Sequence, residues 1–422
     1  MQTTKRYLLA SFILLIPFQD TFLQHTALGD FGASFAIIPL MLLIFVTFVG
    51  WLYRKELYIH KTLGICIAYA LTFSLIYIML DGSDAFGRSL ILKTVNIAIL
   101  TGCFAFVVYG LPYDILATLR WIIPAAFMIT LLSIPLSDMH LSGMGLLSEN
   151  PILHATINSD LRWRGFTREA SVFSILIITL GMASAHYARK RFAKAVYLIL
   201  TVVALAGCGS KGGILSLLFS IPIIFLLRIT KVWKRILGVV ILIPFGFLAY
   251  IVALYLFPAN LLVESTTVPT RIVGIVWAVI VSVHNPFGVG FSGFYPAIRE
   301  YMPTAMNIVN VRSPVLLNMD EVQEFIETGK SASSKVLILN YLVYFGVPFL
   351  VAFVYEARKT IRRLLQANKI ILLSSLICVL IAIGSYVDSV VIYNVPLLLG
   401  VCIYERKKFE GSTCNERFSL SA

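Results

Sequence analysis

Long apolar runs, separated by short connections, dominate the pattern of this chain. A helix that spans a bilayer needs about 20 mostly apolar residues, and about twelve runs approach that length. The predicted spans are 7–24, 31–53, 62–80, 89–109, 115–136, 169–187, 193–208, 211–228, 234–256, 335–355, 369–384 and 388–404. The pattern therefore predicts an all-α polytopic membrane protein with about twelve transmembrane helices.

Lysine and arginine gather in alternate connections between these spans. Short cytoplasmic loops of membrane proteins carry an excess of both residues, so their distribution predicts the orientation. The clusters are Lys5 and Arg6; Arg54, Lys55 and Lys61; Arg189, Lys190, Arg191 and Lys194; Arg228, Lys231, Lys234 and Arg235; Arg358, Lys359, Arg362 and Arg363; and Arg406, Lys407 and Lys408. All of them lie on one side of the membrane if both chain termini are cytoplasmic.

This orientation divides the chain into alternating membrane and loop segments. The predicted segments are helices one to five (1–136), an outer loop (137–168), helices six to nine (169–256), a large outer loop with a surface helix (257–334), helices ten to twelve (335–404) and a cytoplasmic tail (405–422). The large loop contains an acidic stretch formed by Asp320, Glu321, Glu324 and Glu327. Because loops on a rigid scaffold often carry function, we expect the chemistry to occur in the outer loops.

Composition agrees with a bilayer as the solvent of this chain. Of its 422 residues, 59% are hydrophobic and 13% are charged, whereas a soluble domain has roughly 25% charged residues. The formal net charge is +13, but the basic residues lie in short clusters and do not alternate with aromatics on one face. We therefore expect the lipid bilayer as a partner, and no nucleic acid.

The cysteine and glycine patterns indicate no cofactor. The six cysteines have no CxxC or Cys/His spacing of a metal site or a disulfide framework. "GVGFSG" (288–293) matches the dinucleotide fingerprint only as a string, because no βαβ unit surrounds it. "GCGSKGG" (207–213) lacks the Ser or Thr that follows the lysine of a P-loop. We predict neither a metal nor a nucleotide cofactor.

A charged stretch, "RWRGFTREAS" (162–171), begins the sixth span on the outer side. Positive-inside anchoring does not explain Arg162, Arg164 and Arg168 there. Two interpretations stay open: the arginines snorkel to the interface, or they form an anion site, since guanidinium groups bind phosphate bidentately. Glu169 would then complement the helix dipole and orient an arginine.

Further cations are predicted on the outer face. Lys211 lies in the turn between spans seven and eight, and Arg271 begins an apolar stretch that ends at His284 and Asn285. That stretch predicts a helix lying on, or dipping into, the outer surface. His284 is open to a structural or a catalytic interpretation.

Three blocks, "RWRGFTREAS", "GSKGGILSLLF" and "RIVGIVWAVIVSVHNPFGVGFSGFY", resemble the O-antigen polymerase and ligase superfamily of bacterial envelopes. The resemblance is clearest over 160–350. It implies a multispanning glycosyltransferase of the bacterial inner membrane, with an active site that faces the periplasm. Such enzymes transfer a glycan from undecaprenyl pyrophosphate to an acceptor. The implied partners are the lipid-linked oligosaccharide, a chain-length regulator and a flippase.

The resemblance also implies roles for the outer residues. Arg164, Arg168 and Arg271 would hold the pyrophosphate, with Glu169 and His284 as further catalytic candidates. Arg162, Lys211, Asn285 and Lys335 are the candidates for substrate binding. The leaving group is already activated, so the enzyme must supply charge stabilisation and a base, without nucleotide or metal.

One departure favours a polymerase over a ligase. Ligases of the superfamily tend to carry a His-Asn pair about eleven residues before a glycine at the start of the span after the large loop. In "SASSKVLILNYLVYFGV" that position, counted back from Gly346, holds Lys335 followed by Val336. A proline that follows the motif's glutamate is also replaced, by Ala170. An O-antigen ligase that transfers to lipid A-core, a flippase or exporter of lipid-linked sugars, and a non-catalytic assembly subunit stay as alternatives.

The orientation predicts the outcome of reporter fusions. Fusions after Arg191, Lys234 and Arg363 should report cytoplasm, and fusions near Gly145 and Asp320 should report periplasm, because the basic clusters face inward. Paired alkaline phosphatase and green fluorescent protein fusions measure the two sides. A periplasmic signal after Arg191 would overturn the orientation.

Overall fold

The fold is a bundle of α-helices with one short β-hairpin. The computed structural model describes residues 2–19, 21, 32–54, 61–81, 84–113, 120–141, 163–167, 169–229, 233, 240, 267–313, 317–329, 333–387 and 393–419. The helices are α1 (Gln2–Leu15), α2 (Ile37–Arg54), α3 (Lys61–Asp81), α4 (Leu90–Ala105, continued by a π-turn at Phe106–Gly110), α5 (Ile122–Leu141), α6 (Ala170–Tyr187), α7 (Arg191–Cys208), α8 (Lys211–Arg228), α9 (Thr267–His284), α10 (Phe294–Arg312), α11 (Asp320–Thr328), α12 (Leu337–Gln366), α13 (Ile370–Ile383) and α14 (Asn394–Ser419). Strands β1 (Asp84–Ala85) and β2 (Arg88–Ser89) pair antiparallel between α3 and α4.

The helices confirm a multi-pass membrane protein. Within the described ranges, five helices are long and apolar enough to cross a bilayer: α4 with its π-turn, α6, α7, α8 and α12. Shorter apolar helices occur in α2, α3, α5, α9 and α13. Apart from residue 240, the predicted span 234–256 lies outside the described residues, as does most of the predicted outer loop 137–168. The tally of about twelve spans stays a prediction.

Helix α6 forms the centre of the bundle. It is the most buried of the five long apolar helices, and its residues from Phe173 to Ala185 are all buried. Small residues allow neighbours to approach closely, since a Cβ at Gly181 would lie 2.1 Å from Thr201 Oγ1 of α7. A buried hydrogen bond also joins α14 to α6, in which Asn394 Nδ2 donates to Thr179 Oγ1 at 2.8 Å. The opening stretch of the sixth span is therefore anchored to the best-packed element of the fold.

Helix α12 consists of two helical halves joined at Gly346. The glycine has φ 72° and ψ −169°, a region of backbone conformation that is essentially restricted to glycine. Given the rise per residue of an α-helix, Gly346 lies roughly 15 Å along the helix axis from the start of α12. That distance is about half the thickness of the hydrocarbon core of a bilayer. The break therefore lies near the middle of the membrane if α12 spans it.

The glycine-rich loop after α9 supplies the hydrogen bonds that this break would leave unmade. The backbone N–H of Val289 donates to Val343 O at 2.9 Å, and that of Gly290 donates to Tyr344 O at 3.1 Å. In return, Val347 N–H donates to Pro286 O at 2.8 Å. Backbone groups at membrane depth must be satisfied by protein, because lipid offers no partners. "GVGFSG" thus caps a broken helix.

The predicted large loop 257–334 contains three described helices, where the sequence indicated one. Helix α9 covers the stretch for which the sequence predicted a helix, and it carries buried Trp277 and Val281 on one side. Its opposite side exposes apolar residues, including Val279 and Val283. Helix α10 lies beside α9, with the Trp277 indole donating to Ala297 O at 3.0 Å. The loop that follows α9 then reaches the break in α12, so this region enters the bundle.

Ion pairs join α12, α13 and α14 at the opposite end of the bundle. Arg406 Nη1 lies 2.6 Å from Glu356 Oε2, which connects α14 to α12. Lys369 Nζ lies 3.6 Å from Glu405 Oε2, which connects the start of α13 to α14. Basic residues on the predicted cytoplasmic side therefore also tie helices together.

Replacing Gly346 by alanine should strongly destabilise the protein. A Cβ at this position would lie 2.4 Å from Pro286 O and 2.4 Å from Phe287 C, where φ is already positive. We expect a loss of at least about 3 kcal/mol from strain and displaced hydrogen bonds. Thermal unfolding in detergent, followed by intrinsic fluorescence, measures the effect.

The matched control is Gly102→Ala in α4, where no atom lies within 4 Å of the added Cβ. It should leave the unfolding temperature unchanged or slightly raised, because alanine favours a helix over glycine by up to about 1 kcal/mol. Equal unfolding temperatures for the two variants would contradict the role of the break.

Candidate functional site

The turn at 163–167 covers the predicted outer ends of several helices. Trp163 N–H donates to Gly207 O at 3.2 Å, and the Trp163 ring lies where a Cβ on Gly207 would be. Phe166 stacks on Phe18 with ring centroids 5.4 Å apart. Gly165 has φ 51° and leaves no room for a side chain beside Phe173. These contacts fix the turn across α1, α6 and α7.

This turn holds Arg164 at the start of α6. The Thr167 hydroxyl donates to Arg164 O at 2.8 Å, which closes the turn around the arginine. Glu169 occupies the N-cap position of α6 and is exposed, and its carboxylate accepts the Ser171 hydroxyl at 3.0 Å. Arg162 and Arg168, also predicted as site residues, lie outside the described residues.

Lys211 begins α8 beside the same turn. The Ser210 hydroxyl caps α8 by accepting Gly213 N–H at 3.3 Å. Gly213 lies against Ser174 of α6, and Gly212 lies against the ring of Tyr386. The structure therefore brings the predicted residues Arg164, Glu169 and Lys211 to neighbouring helix starts at one end of the bundle.

Lys335 lies in a turn that is held by side-chain hydrogen bonds before α12. Its N–H donates to Ser333 Oγ at 3.0 Å, and the N–H of buried Ser334 donates to Asn340 Oδ1 at 3.0 Å. Lys335 itself has φ 57°, an uncommon value for a residue with a side chain. The turn thereby directs the lysine toward α9 and α11.

Glu321 contacts side chains from two other parts of the chain at this end of the bundle. Lys335 Nζ lies 3.0 Å from Glu321 Oε1, and the hydroxyl of buried Thr270 donates to Glu321 Oε2 at 2.8 Å. Thr270 directly precedes the predicted phosphate ligand Arg271 in α9. Lys335 also lies 5.5 Å from the centre of the Phe325 ring. We call Thr270, Arg271, Glu321 and Lys335 the cation–carboxylate cluster.

The cluster adjoins the helix starts that carry Arg164 and Lys211. Leu337 N–H donates to Val387 O at 2.7 Å, and the preceding residue, Tyr386, packs on Gly212. The starts of α6, α8, α9 and α12 thus lie at the same end of the bundle. Arg164, Lys211, Arg271 and Lys335 therefore lie at this end together with Glu169 and the acidic residues of α11.

The structure places His284 and Asn285 away from this cluster. They end α9, which separates His284 from Arg271 by roughly 20 Å along the helix. The His284 Nδ1 lies 2.9 Å from Ile280 O, and Asn285 Oδ1 accepts the Tyr77 hydroxyl at 3.1 Å. Partial burial raises the pKa of nearby Tyr301, with Glu300 adding to the rise and Asn285 opposing it. Arg271 and His284 therefore do not form one site.

An apolar cavity of about 200 Å³ follows α12 through the bundle. It begins at Leu337 and Ile338, directly after the Lys335 turn, and extends to Glu356 and Thr360. Four rings on one side of α12 stack in sequence along it: Tyr341, Phe345, Phe349 and Phe353. The cation–carboxylate cluster therefore lies beside the Leu337 end of this mainly apolar cavity.

Sequence reasoning did not single out Thr270 or Glu321 as site residues. Glu321 was visible only as part of an acidic stretch, and nothing in the local pattern distinguishes it from Glu324. Its partners Thr270 and Lys335 come from distant parts of the chain, so only the tertiary structure selects it. Within the described part of the chain, no group of three His, Cys, Asp or Glu side chains is arranged to hold a metal ion.

The chain is similar to a protein of Klebsiella pneumoniae. No protein-family model matches the chain. The Klebsiella protein, named "Uncharacterized 49.5 kDa protein in cps region", is 26% identical over 359 residues. The aligned part covers 83% of this chain and 80% of that protein. The similarity thus extends over both the helix bundle and the outer region that holds the cluster.

Proposed function

We propose that this protein is a membrane polymerase of a capsule-type bacterial polysaccharide. It would transfer a growing glycan from undecaprenyl pyrophosphate to a lipid-linked repeat unit on the periplasmic side. The observation that carries the proposal is the position of the cation–carboxylate cluster at the Leu337 end of the apolar cavity. A charged head and a long hydrocarbon tail are the two parts of a polyprenyl pyrophosphate.

The cations account for the chemistry that such a transfer requires. The bond between the sugar C1 and the pyrophosphate oxygen breaks, and negative charge develops on the departing phosphates. In the proposed site, Arg271 and Lys335 would stabilise that charge from one side, and Arg164 and Lys211 from the neighbouring helix starts. Guanidinium groups hold phosphate oxygens through paired hydrogen bonds, which fixes the orientation of the donor.

Two further observations favour polysaccharide synthesis of this kind. The similar Klebsiella protein takes its name from a cps region, which supports a role in capsule polysaccharide synthesis. Lys335 occupies the position at which the resembling ligases carry a histidine, which favours transfer to another repeat unit over transfer to lipid A-core. A chain-length regulator and a flippase would be the functional partners, and a flippase role for this chain is the alternative to test.

The decisive experiment supplies the purified protein in nanodiscs with lipid-linked repeat units and follows glycan length on a gel. The unmodified protein should lengthen the glycan, whereas a flippase would move short units between leaflets without lengthening them. Arg271→Ala should slow lengthening by about 100-fold or more, because a charge-assisted contact to the leaving group is lost. Arg271→Lys should restore activity only in part, since an ammonium lacks the planar fork.

Arg299→Ala serves as the control for Arg271, because Arg299 is an exposed arginine of α10. It should lengthen glycans at the rate of the unmodified protein. Full activity of Arg271→Lys would contradict bidentate phosphate binding and leave simple charge as the explanation.

The cavity gives an independent test of how the lipid is held. Ala352 lines the cavity, whereas its neighbour Val351 is 64% exposed on the outside of the same helix. Ala352→Trp should raise the KM for the lipid-linked donor by roughly tenfold, about 1.4 kcal/mol, because the indole fills space that the tail requires. Val351→Trp should leave KM unchanged, and equal effects of the two substitutions would sink the assignment of the cavity to the tail. Steady-state kinetics with matched protein amounts decide between these results.

A further inference from the structure

Glu321 is held in a way that suits a proton acceptor. Its side chain is 26% exposed, so a ligand can reach the carboxylate, yet both oxygens are fixed. Lys335 contacts Oε1 from the start of α12, and Thr270 contacts Oε2 from α9. A carboxylate has about four lone-pair positions, so each oxygen keeps one that faces away from these partners.

We propose that Glu321 is the general base of the transfer reaction and takes the proton of the acceptor sugar hydroxyl. The inference rests on the proposed transferase function and adds the residue that this function still lacks. The position equivalent to a ligase histidine is a lysine here, and a lysine that is charged has no lone pair to accept a proton. The base therefore comes from α11, a different element, and reaches the same place through its contact with that lysine.

Atoms and electrons balance in the proposed transfer step, with groups that the protein and its two substrates supply. The acceptor oxygen attacks the sugar C1 and forms the new glycosidic bond as its proton passes to a Glu321 oxygen. The bond from C1 to the pyrophosphate oxygen breaks, and its electron pair leaves with the lipid pyrophosphate. Arg271, one residue from the threonine that positions Glu321, stabilises the leaving group. The carboxyl group then returns its proton to solvent through its exposed side.

The other candidates for the general base are less suitably placed than Glu321. Glu169 binds Ser171 at the start of α6, and His284 lies at the far end of α9. Glu324 is exposed, and Glu327 accepts the Gln323 amide at 2.7 Å on the exposed part of α11. Among these side chains, only Glu321 contacts both the Lys335 turn and the start of α9.

Replacing Glu321 by glutamine tests the proposal in the nanodisc assay. The substitution keeps the size of the side chain and removes its basicity, so kcat should fall by about 100- to 10,000-fold. The KM for the donor should change by less than about threefold, since the cations that bind pyrophosphate remain. Glu321→Asp should retain partial activity, because the base is preserved on a shorter side chain.

The dependence of kcat on pH separates a base from a structural residue. With Glu321 present, kcat should fall at low pH as the carboxylate becomes protonated. The residual activity of Glu321→Gln should lack this fall, whereas a misplaced but intact base would keep it. Glu324→Gln on the exposed side of the same helix is the matched control and should keep both kcat and its pH profile.

The outcomes distinguish this inference from the function on which it rests. An unmodified protein that lengthens no glycan would overturn both. Normal lengthening by the unmodified protein together with near-normal kcat for Glu321→Gln would overturn the base and leave the polymerase standing. If Glu321→Gln unfolds at a lower temperature, its loss of kcat could come from misfolding. The variant Thr270→Val, which keeps the carboxylate, then decides whether Glu321 is the base. A lower kcat in Thr270→Val, with the fall of kcat at low pH retained, supports Glu321 as the base. An unchanged kcat in both Thr270→Val and Glu321→Asp contradicts this role.

Discussion

The need to satisfy backbone hydrogen bonds inside a bilayer is the constraint on which this structure depends. Helix α12 breaks at Gly346, and if the helix spans the membrane, lipid there can supply neither donors nor acceptors. The loop from Pro286 to Gly290 completes the interrupted ladder on both sides of the break. It can approach only because Gly288 and Gly346 face each other without side chains, at 2.6 Å from where the Cβ of Gly288 would be.

The break also shapes the region where chemistry is proposed. The first half of α12 contains Asn340, which anchors the turn before the helix and so fixes Lys335. The capping loop follows α9, so its hydrogen bonds hold the end of α9 against α12. Near the start of α9, Thr270 donates to Glu321 of α11, so α9 is held at both of its ends.

The charged side chains at that end of the bundle have different proposed roles. In the proposed site, the arginines and lysines at the starts of four helices would bind a dianionic leaving group, and helix starts add their own partial positive charge. Glu321, whose side chain is 26% exposed, would supply basicity next to that leaving group. The apolar cavity, with its stacked rings on α12, begins beside this charged site. The two together match a charged head that is joined to a hydrocarbon tail.

The sequence by itself determined the class of the protein and the elements of its membrane part. Apolar runs predicted helices where α2 to α8 and α12 to α14 occur, because burial in lipid requires only local length and hydropathy. The same reasoning located Arg164, Lys211, Arg271 and Lys335 at the ends of helices. It rejected a dinucleotide site at "GVGFSG" but did not predict that this loop caps a broken helix, and it left His284 open to a structural or a catalytic role. The tertiary structure revealed the capping role, because that role depends on contacts between distant segments. It also selected Glu321 from four similar acidic residues, because the partners that distinguish it, Thr270 and Lys335, meet only when α9, α11 and α12 pack together.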